Sequence, residues 1–234
     1  MKIPRKIDDK LKNAVVQFQF VSNIPSGTIL GYFYSRFKNE VRLIPPLKMP
    51  LFSSGLLVGV QESTQIIINL DNNFTIDLKD NSITFDLADG YKGWDLYMET
   101  IEKYMFPLFE HKIVSSIEQI GVRYISNFDN VLIYDHIKGI INLELIESAT
   151  RGQSRFEFNK NKCTIGLNLI NGAVYEADNK TTDVSIIDIH AVQKVTIKNT
   201  EELVDTTNKM HDIEKEVFFS LLKDEFLATL NPEY

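Results

Sequence analysis

The chain has 234 residues, 44% of them apolar and 24% charged, with a formal net charge of -7. That is enough apolar side chain to close a core without disulfides or structural metals, and a single cysteine, Cys163, excludes an intramolecular disulfide and any cysteine-rich zinc site. The acidic balance argues against a general nucleic-acid binder, which presents a basic surface. No stretch is long and apolar enough to span a bilayer. The basic start of the chain (Lys2, Arg5, Lys6, Lys10 and Lys12) is not followed by the apolar core of a signal peptide. The expectation is a cytoplasmic protein with no membrane contact, and the lone cysteine fits a reducing compartment.

Residues 14–22 alternate, with Val16, Phe18 and Phe20 on one face and Gln17 and Gln19 on the other, which predicts a half-buried strand. Pro25 then opens a helix over 25–38, its apolar stripe running through Ile29, Phe33 and Phe37. Pro45, Pro46 and Pro50 make 41–54 an irregular connection. An antiparallel meander follows at 56–61, 65–70, 74–78 and 82–87, with turns at Asp71-Asn72-Asn73 and Lys79-Asp80-Asn81. The spacing of Trp94, Tyr97, Ile101, Tyr104, Met105 and Leu108 predicts a helix over 92–111, loosened near its end by Pro107.

A central strand at 114–127 opens the second part of the chain, with Ile120, Val122 and Tyr124 on one face and Gln119, Gly121 and Arg123 on the other. A short helix at 131–139 ends at Gly139, and strands are expected at 152–159, 163–170 and 184–194, with 171–183 as a polar loop. A long helix over 200–229 carries Leu203, Met210, Ile213, Val217 and Phe218 on its apolar side and stops before Pro232. Phe18, Phe20, Phe156 and Phe158 are expected beneath the helices.

The order of elements repeats: strand, helix, meander, long helix. It predicts an α+β fold of two pseudo-duplicated β-α-β(3–4)-α units forming one curved antiparallel sheet, with the long helices packed on one face. Such a saddle is similar to the TATA-binding-protein-like architecture. A pair of packed ferredoxin-like units is the alternative. The boundaries are a basic N-terminal arm at 1–13, a first half at 14–112 and a second half at 113–234 that shares its core.

The run from Gln119 to Asn127 resembles the Ile-Gly-Leu-Arg-Tyr-Ile-Asn motif of a sporadically distributed, uncharacterised bacterial protein family. The first strand from Ala14 to Phe20, the strand containing Asp188, and a C-terminal helix with His211 and Phe218 resemble it too. The chain departs from that pattern where Gln17 and Gln19 replace a Glu-x-Arg pair, and where Ser126 interrupts the Tyr-Ile-Asn run. The patchy distribution of such families is that of mobile defence or toxin–antitoxin genes, so the resemblance implies an accessory or antitoxin-like binding role.

No phosphate-binding glycine loop, nucleophile elbow, H-E-x-x-H or C-x-x-C occurs. No catalytic residue, cofactor site or metal site is therefore assigned. Asp188 and His190 are the best local candidates for chemistry. On a strand they project from one face, about 7 Å apart along the backbone, where they can serve a metal or a proton transfer if Glu157 or Arg155 joins them. A plain hydrogen-bonded sheet face is the competing reading. Arg123 is suited to an anionic ligand or to an ion pair with Glu118, Glu157 or Asp188. His211 is expected to bond a backbone group at the helix–sheet boundary, and Cys163 to be a buried small hydrophobe.

These readings converge on a non-catalytic binding protein whose partner is another protein or a second copy. Its surface would be the polar sheet side bearing Gln17, Gln19, Arg123, Arg155, Glu157, Asp188 and His190. The alternatives are a metal-assisted hydrolase using Asp188 and His190, and a nucleic-acid binder by fold analogy. Asp71, Asp77, Asp80 and Asp86 count against the latter, because they place acid where a phosphate backbone needs cations.

Overall fold

A computed structural model describes residues 3–8, 10–38, 40, 47–53, 56–63, 66–70, 74–79, 81–88, 91, 93–139, 151–177 and 180–234. The expected turn at Asp71-Asn72-Asn73, Asp80, and the prolines Pro45 and Pro46 lie outside the described residues.

The fold is α+β. The strands are β1 (Leu11–Ser22), β2 (Leu47–Ser53), β3 (Leu56–Ser63), β4 (Ile66–Leu70), β5 (Phe74–Lys79), β6 (Ser82–Ala88), β7 (Val114–Asp129), β8 (Gly152–Lys160), β9 (Cys163–Ala177) and β10 (Lys180–Ile197). The helices are α1 (Ser26–Phe37), α2 (Trp94–Glu110), α3 (Thr200–Leu221) and α4 (Asp224–Ala228), with a single 3-10 turn at Ile133–His136. Eight strands form one open sheet in the order β4-β5-β6-β1-β7-β10-β9-β8. Pairs β4–β5, β5–β6, β9–β10 and β8–β9 run antiparallel.

Three expectations are corrected. Residues 47–53 are strand, not irregular connection: β2 pairs antiparallel with β3 as a separate two-stranded sheet, with Pro50 opposite Val60. A two-stranded sheet has only edge strands, where a proline's missing donor is tolerated. The polar loop expected at 171–183 is mostly strand, because β9 runs to Ala177 and β10 starts at Lys180, in register from Lys180↔Ala177 to Val184↔Ala173. Ladder hydrogen bonds there outweigh a polar composition. The long C-terminal helix ends at Leu221, and α4 follows as a separate short helix whose first turn carries Asp224 and Glu225.

The residues group into two compact units. One, the α2 unit, comprises Val15–Ile120 and Lys194–Val204. Its strands bury alternate residues: Val16, Phe18 and Phe20 of β1, Ile76 of β5, and Ile83 and Phe85 of β6. Helix α2 buries Tyr97, Ile101, Tyr104, Met105 and Leu108 at helical spacing. Phe18 meets Phe85 edge-on at 5.9 Å, and Phe74 lies 4.9 Å from Tyr97. The Tyr97 hydroxyl donates to the Phe85 carbonyl at 2.6 Å and accepts the Val16 N–H at 3.1 Å. It thus closes two backbone groups of different strands from a helix above them. Burial holds this phenol well above its ordinary range, so it stays a donor. Helix α1 is tied to α2 through Phe33, Phe37 and Tyr104. Just beyond α1, Glu40 accepts from Lys103 and Tyr104, and the Lys103 and Tyr104 bonds hold its carboxyl below the usual range.

The other, the α3 unit, comprises Met1–Ala14, Gly121–Gln193 and Asp205–Tyr234. Its core is built from Val122 and Phe128 of β7, Ile165, Leu167 and Leu169 of β9, Ile187 and Ile189 of β10, and Met210, Val217 and Phe218 of α3. The β10 register slips between Val184 and Ile186. At that bulge the buried Ser185 hydroxyl donates to the Val131 carbonyl and accepts the N–H groups of Gly172 and Ile133. The Asn171 side chain accepts the Tyr134 N–H at 3.0 Å, so the 3-10 turn hangs on two buried polar residues. The start of the chain is held by the end: Arg5 and Lys6 N–H donate to the Glu233 carbonyl. Cys163 is buried, as expected, and burial raises its thiol, which argues against a nucleophile. Phe156 and Phe158 share the face of the buried Leu167 and Ile165 but are only partly covered. They are each 38% exposed on β8, the outermost strand of this end of the sheet.

Tyr97→Phe keeps the ring but orphans the Val16 N–H and the Phe85 carbonyl in the core. A loss of about 1–3 kcal/mol in unfolding free energy is expected from urea denaturation.

Candidate functional site

Strand β7 alternates, and its two faces are put to different uses. Arg123 grips Asp188 of β10 with two parallel bonds, Nε to Oδ1 and Nη2 to Oδ2, both 2.8 Å. Two residues back on β7, a Cβ added to Gly121 would lie 3.2 Å from His190 Nε2. So Gly121 and Arg123 face His190 and Asp188, with β7 numbers rising as β10 numbers fall. Of the three carboxylates weighed for Arg123, Asp188 is the one used.

The register of the next strands extends this match into two rows. Asp188 stands opposite Asn168, which stands opposite Arg155. His190 stands opposite Gly166, which stands opposite Glu157. One row is thus Arg123, Asp188, Asn168, Arg155, with Arg155 roughly 10 Å from Asp188 across two strand spacings. The other is Gly121, His190, Gly166, Glu157, a single imidazole with no side chain on either neighbouring strand. Five of the expected surface residues therefore share one sheet face. Gln17 and Gln19 belong to the α2 unit, where Gln17 donates to Thr84 Oγ1 at 3.1 Å and Gln19 is exposed.

His190 as a residue faces solvent, but its ring tip is pressed over Gly121. Partial burial of the ring, then the Arg123 guanidinium beside it, lower its pKa, and the Asp188 carboxylate acts in the opposite sense. The imidazole is thus neutral at neutral pH, offering one donor and one acceptor. Asp188 spends both oxygens on Arg123, which makes it a poor metal ligand or orienting base. Among the described residues no group of three His, Cys, Asp or Glu side chains is placed to hold a metal ion.

The opposite face of β7 carries Tyr124, whose hydroxyl lies 2.7 Å from His211 Nδ1 on α3. The expected backbone partner of His211 is replaced by a side chain. Burial, then Lys215, pushes this imidazole down to about 3. Its neutral form supports the fold fully above the ordinary histidine range, and that support drains away as pH falls toward 3. One turn on, Glu214 is only 2% exposed, and burial holds its carboxyl well above the usual range. Its position was readable: Leu203, Thr207, Met210, Glu214 and Val217 follow one helical stripe, and all five are buried. The role of Gly121 was not readable, because nothing local says which side chain crosses a glycine.

Two solution measurements test this geometry. Arg123→Ala removes a cation from beside His190 and frees the Asp188 charge, so the His190 pKa is expected to rise in an NMR titration. Glu214→Gln removes a group whose folded pKa lies above its unfolded one. Its stability gain over the wild type is expected to be small below the ordinary carboxylate range. Above it, the gain should grow by about 1.4 kcal/mol per pH unit up to the folded pKa, read from denaturation at several pH values.

No helix among the described residues is long and apolar enough to cross a membrane. Comparison of the chain with protein-family models and with the curated proteins finds no match.

Proposed function

We propose that the chain is a non-catalytic binding protein whose partner is another protein, with the rows around Arg123, Asp188 and His190 as its contact surface. The observation that carries this reading is the two-row layout. Donors and acceptors of both charges stand at fixed strand spacing, the Arg123–Asp188 pair is locked in a fork, and the tip of the His190 ring lies over Gly121. A face of this kind, with polar groups spread over four strands, suits a macromolecular surface, whereas small ligands are held in concave apolar pockets. The Arg123 grip on Asp188 weighs against the hydrolase alternative. The resemblance of Gln119 to Asn127 to a patchily distributed bacterial family supports an accessory, antitoxin-like or defence-linked role in the cytoplasm.

Duplication of an ancestral half belongs to the same reading. Its support is that the strand orders β1-β6-β5-β4 and β7-β10-β9-β8 run outward in the same way from adjacent starting strands.

The test is capture from the native host by immobilised wild-type protein, Arg123→Ala and His190→Ala. A partner retained stoichiometrically by the wild type should bind each variant at least about tenfold more weakly, with melting temperatures within a few degrees of wild type. Equal retention by all three would remove the surface assignment.

A further inference from the structure

Strand β8 ends the sheet order, and no described strand lies on its outer side. Such an edge offers unpaired backbone groups, and proteins commonly blunt it with charge, proline or a bulge. This one has the sequence Gly-Gln-Ser-Arg-Phe-Glu-Phe-Asn-Lys over Gly152–Lys160, with no proline, and its pairing to β9 runs without a slip. Phe156 and Phe158 are both well exposed on one face. Arg155 and Glu157 are exposed on the other, and neither makes an ion pair among the described residues.

We propose that β8 pairs edge to edge with β8 of a second copy of this chain, about a two-fold axis beside Phe156. Antiparallel pairing centred there sets Arg155 opposite Glu157 of the second copy, and Glu157 opposite its Arg155. Phe156 meets its own counterpart on the other face, with Ser154 opposite Phe158. The Arg–Glu and Phe–Phe pairs are of favourable cross-strand types. The charges also choose the register. A slip of one residue pair in one direction sets Arg155 against Arg155, and in the other Glu157 against Glu157. Odd slips exchange the polar and apolar faces and break the two-fold symmetry. Arg-Phe-Glu is therefore a self-complementary sequence on an edge with no described strand beside it, and the occupant it fits is its own copy. The contact is smaller than a standard interface, so the dimer is reversible, populated at about 10–100 μM. Arg155 and Glu157 also end the two rows proposed above as a partner surface, but this inference rests on the outer edge of β8, and self-association of the purified chain is read without any other partner.

The experiment is sedimentation velocity on the full chain over a concentration series, with circular dichroism to establish that each variant is folded. Arg155→Glu and Glu157→Arg each put like charges opposite in the dimer and should weaken self-association by about tenfold or more. Mixed together, the two variants restore both opposite-charge pairs, so a heterodimer of wild-type affinity is expected where neither variant pairs with itself. A wild-type chain that stays monomeric to several hundred micromolar overturns the proposal. So does a dimer indifferent to these charges, or folded variants that fail to pair on mixing. A monomer whose Arg155 and Glu157 instead govern capture of a different protein would also overturn it, and would give the edge to a heterologous strand.

Discussion

Arg123 and Tyr124 are neighbours on β7, and the period of a strand sends them to opposite faces. Everything characteristic of the α3 unit hangs on that divergence. Above the sheet, Arg123 locks Asp188 and thereby sets the charge around His190. Below it, Tyr124 docks His211 and anchors α3 to the strand. A slip of β7 by one residue would exchange the two, burying a guanidinium and exposing a phenol. The register is therefore held by a large penalty and not by the modest worth of the surface ion pair, whose members are 45% and 14% exposed.

Each unit ties a helix to its strands with a tyrosine hydroxyl, though from opposite directions. In the α2 unit the phenol descends from the helix and closes two backbone groups. In the α3 unit it rises from the strand to meet an imidazole. The second solution brings titratable groups into the core. His211 is held neutral against acid and Glu214 is held toward its neutral form against base, so the α3 unit carries oppositely shifted titratable groups in its core. The α2 unit has no counterpart with such opposed groups among its described residues.

The polar face is built by subtraction as much as by addition. Gly121 leaves room for the tip of the His190 ring, and the bulge at Ser185 re-aims the strand just before Asp188 and His190. At the far end of the same rows, Arg155 and Glu157 are left on an edge with no intramolecular ion pair among the described residues. A surface of fixed donors, acceptors and alternating charge serves specificity more than raw affinity.

By itself the sequence determined most of the element types and most of the buried faces. Period-two alternation in 14–22 and 114–127, and the helical stripe from Trp94 to Leu108, each answer to a local rule of side-chain direction. It also placed Asp188 and His190 on one strand face, and Arg123 within reach of a carboxylate. Tertiary structure alone decided which carboxylate that was, because the choice depends on β7 lying beside β10. It likewise decided that β9 and β10 extend through a polar stretch, that β3 leaves the meander to pair with β2, and that Phe156 and Phe158 sit at an edge. Each of these is a matter of which strand becomes a neighbour. That is set by pairing between residues far apart in the chain, and local periodicity carries no record of it.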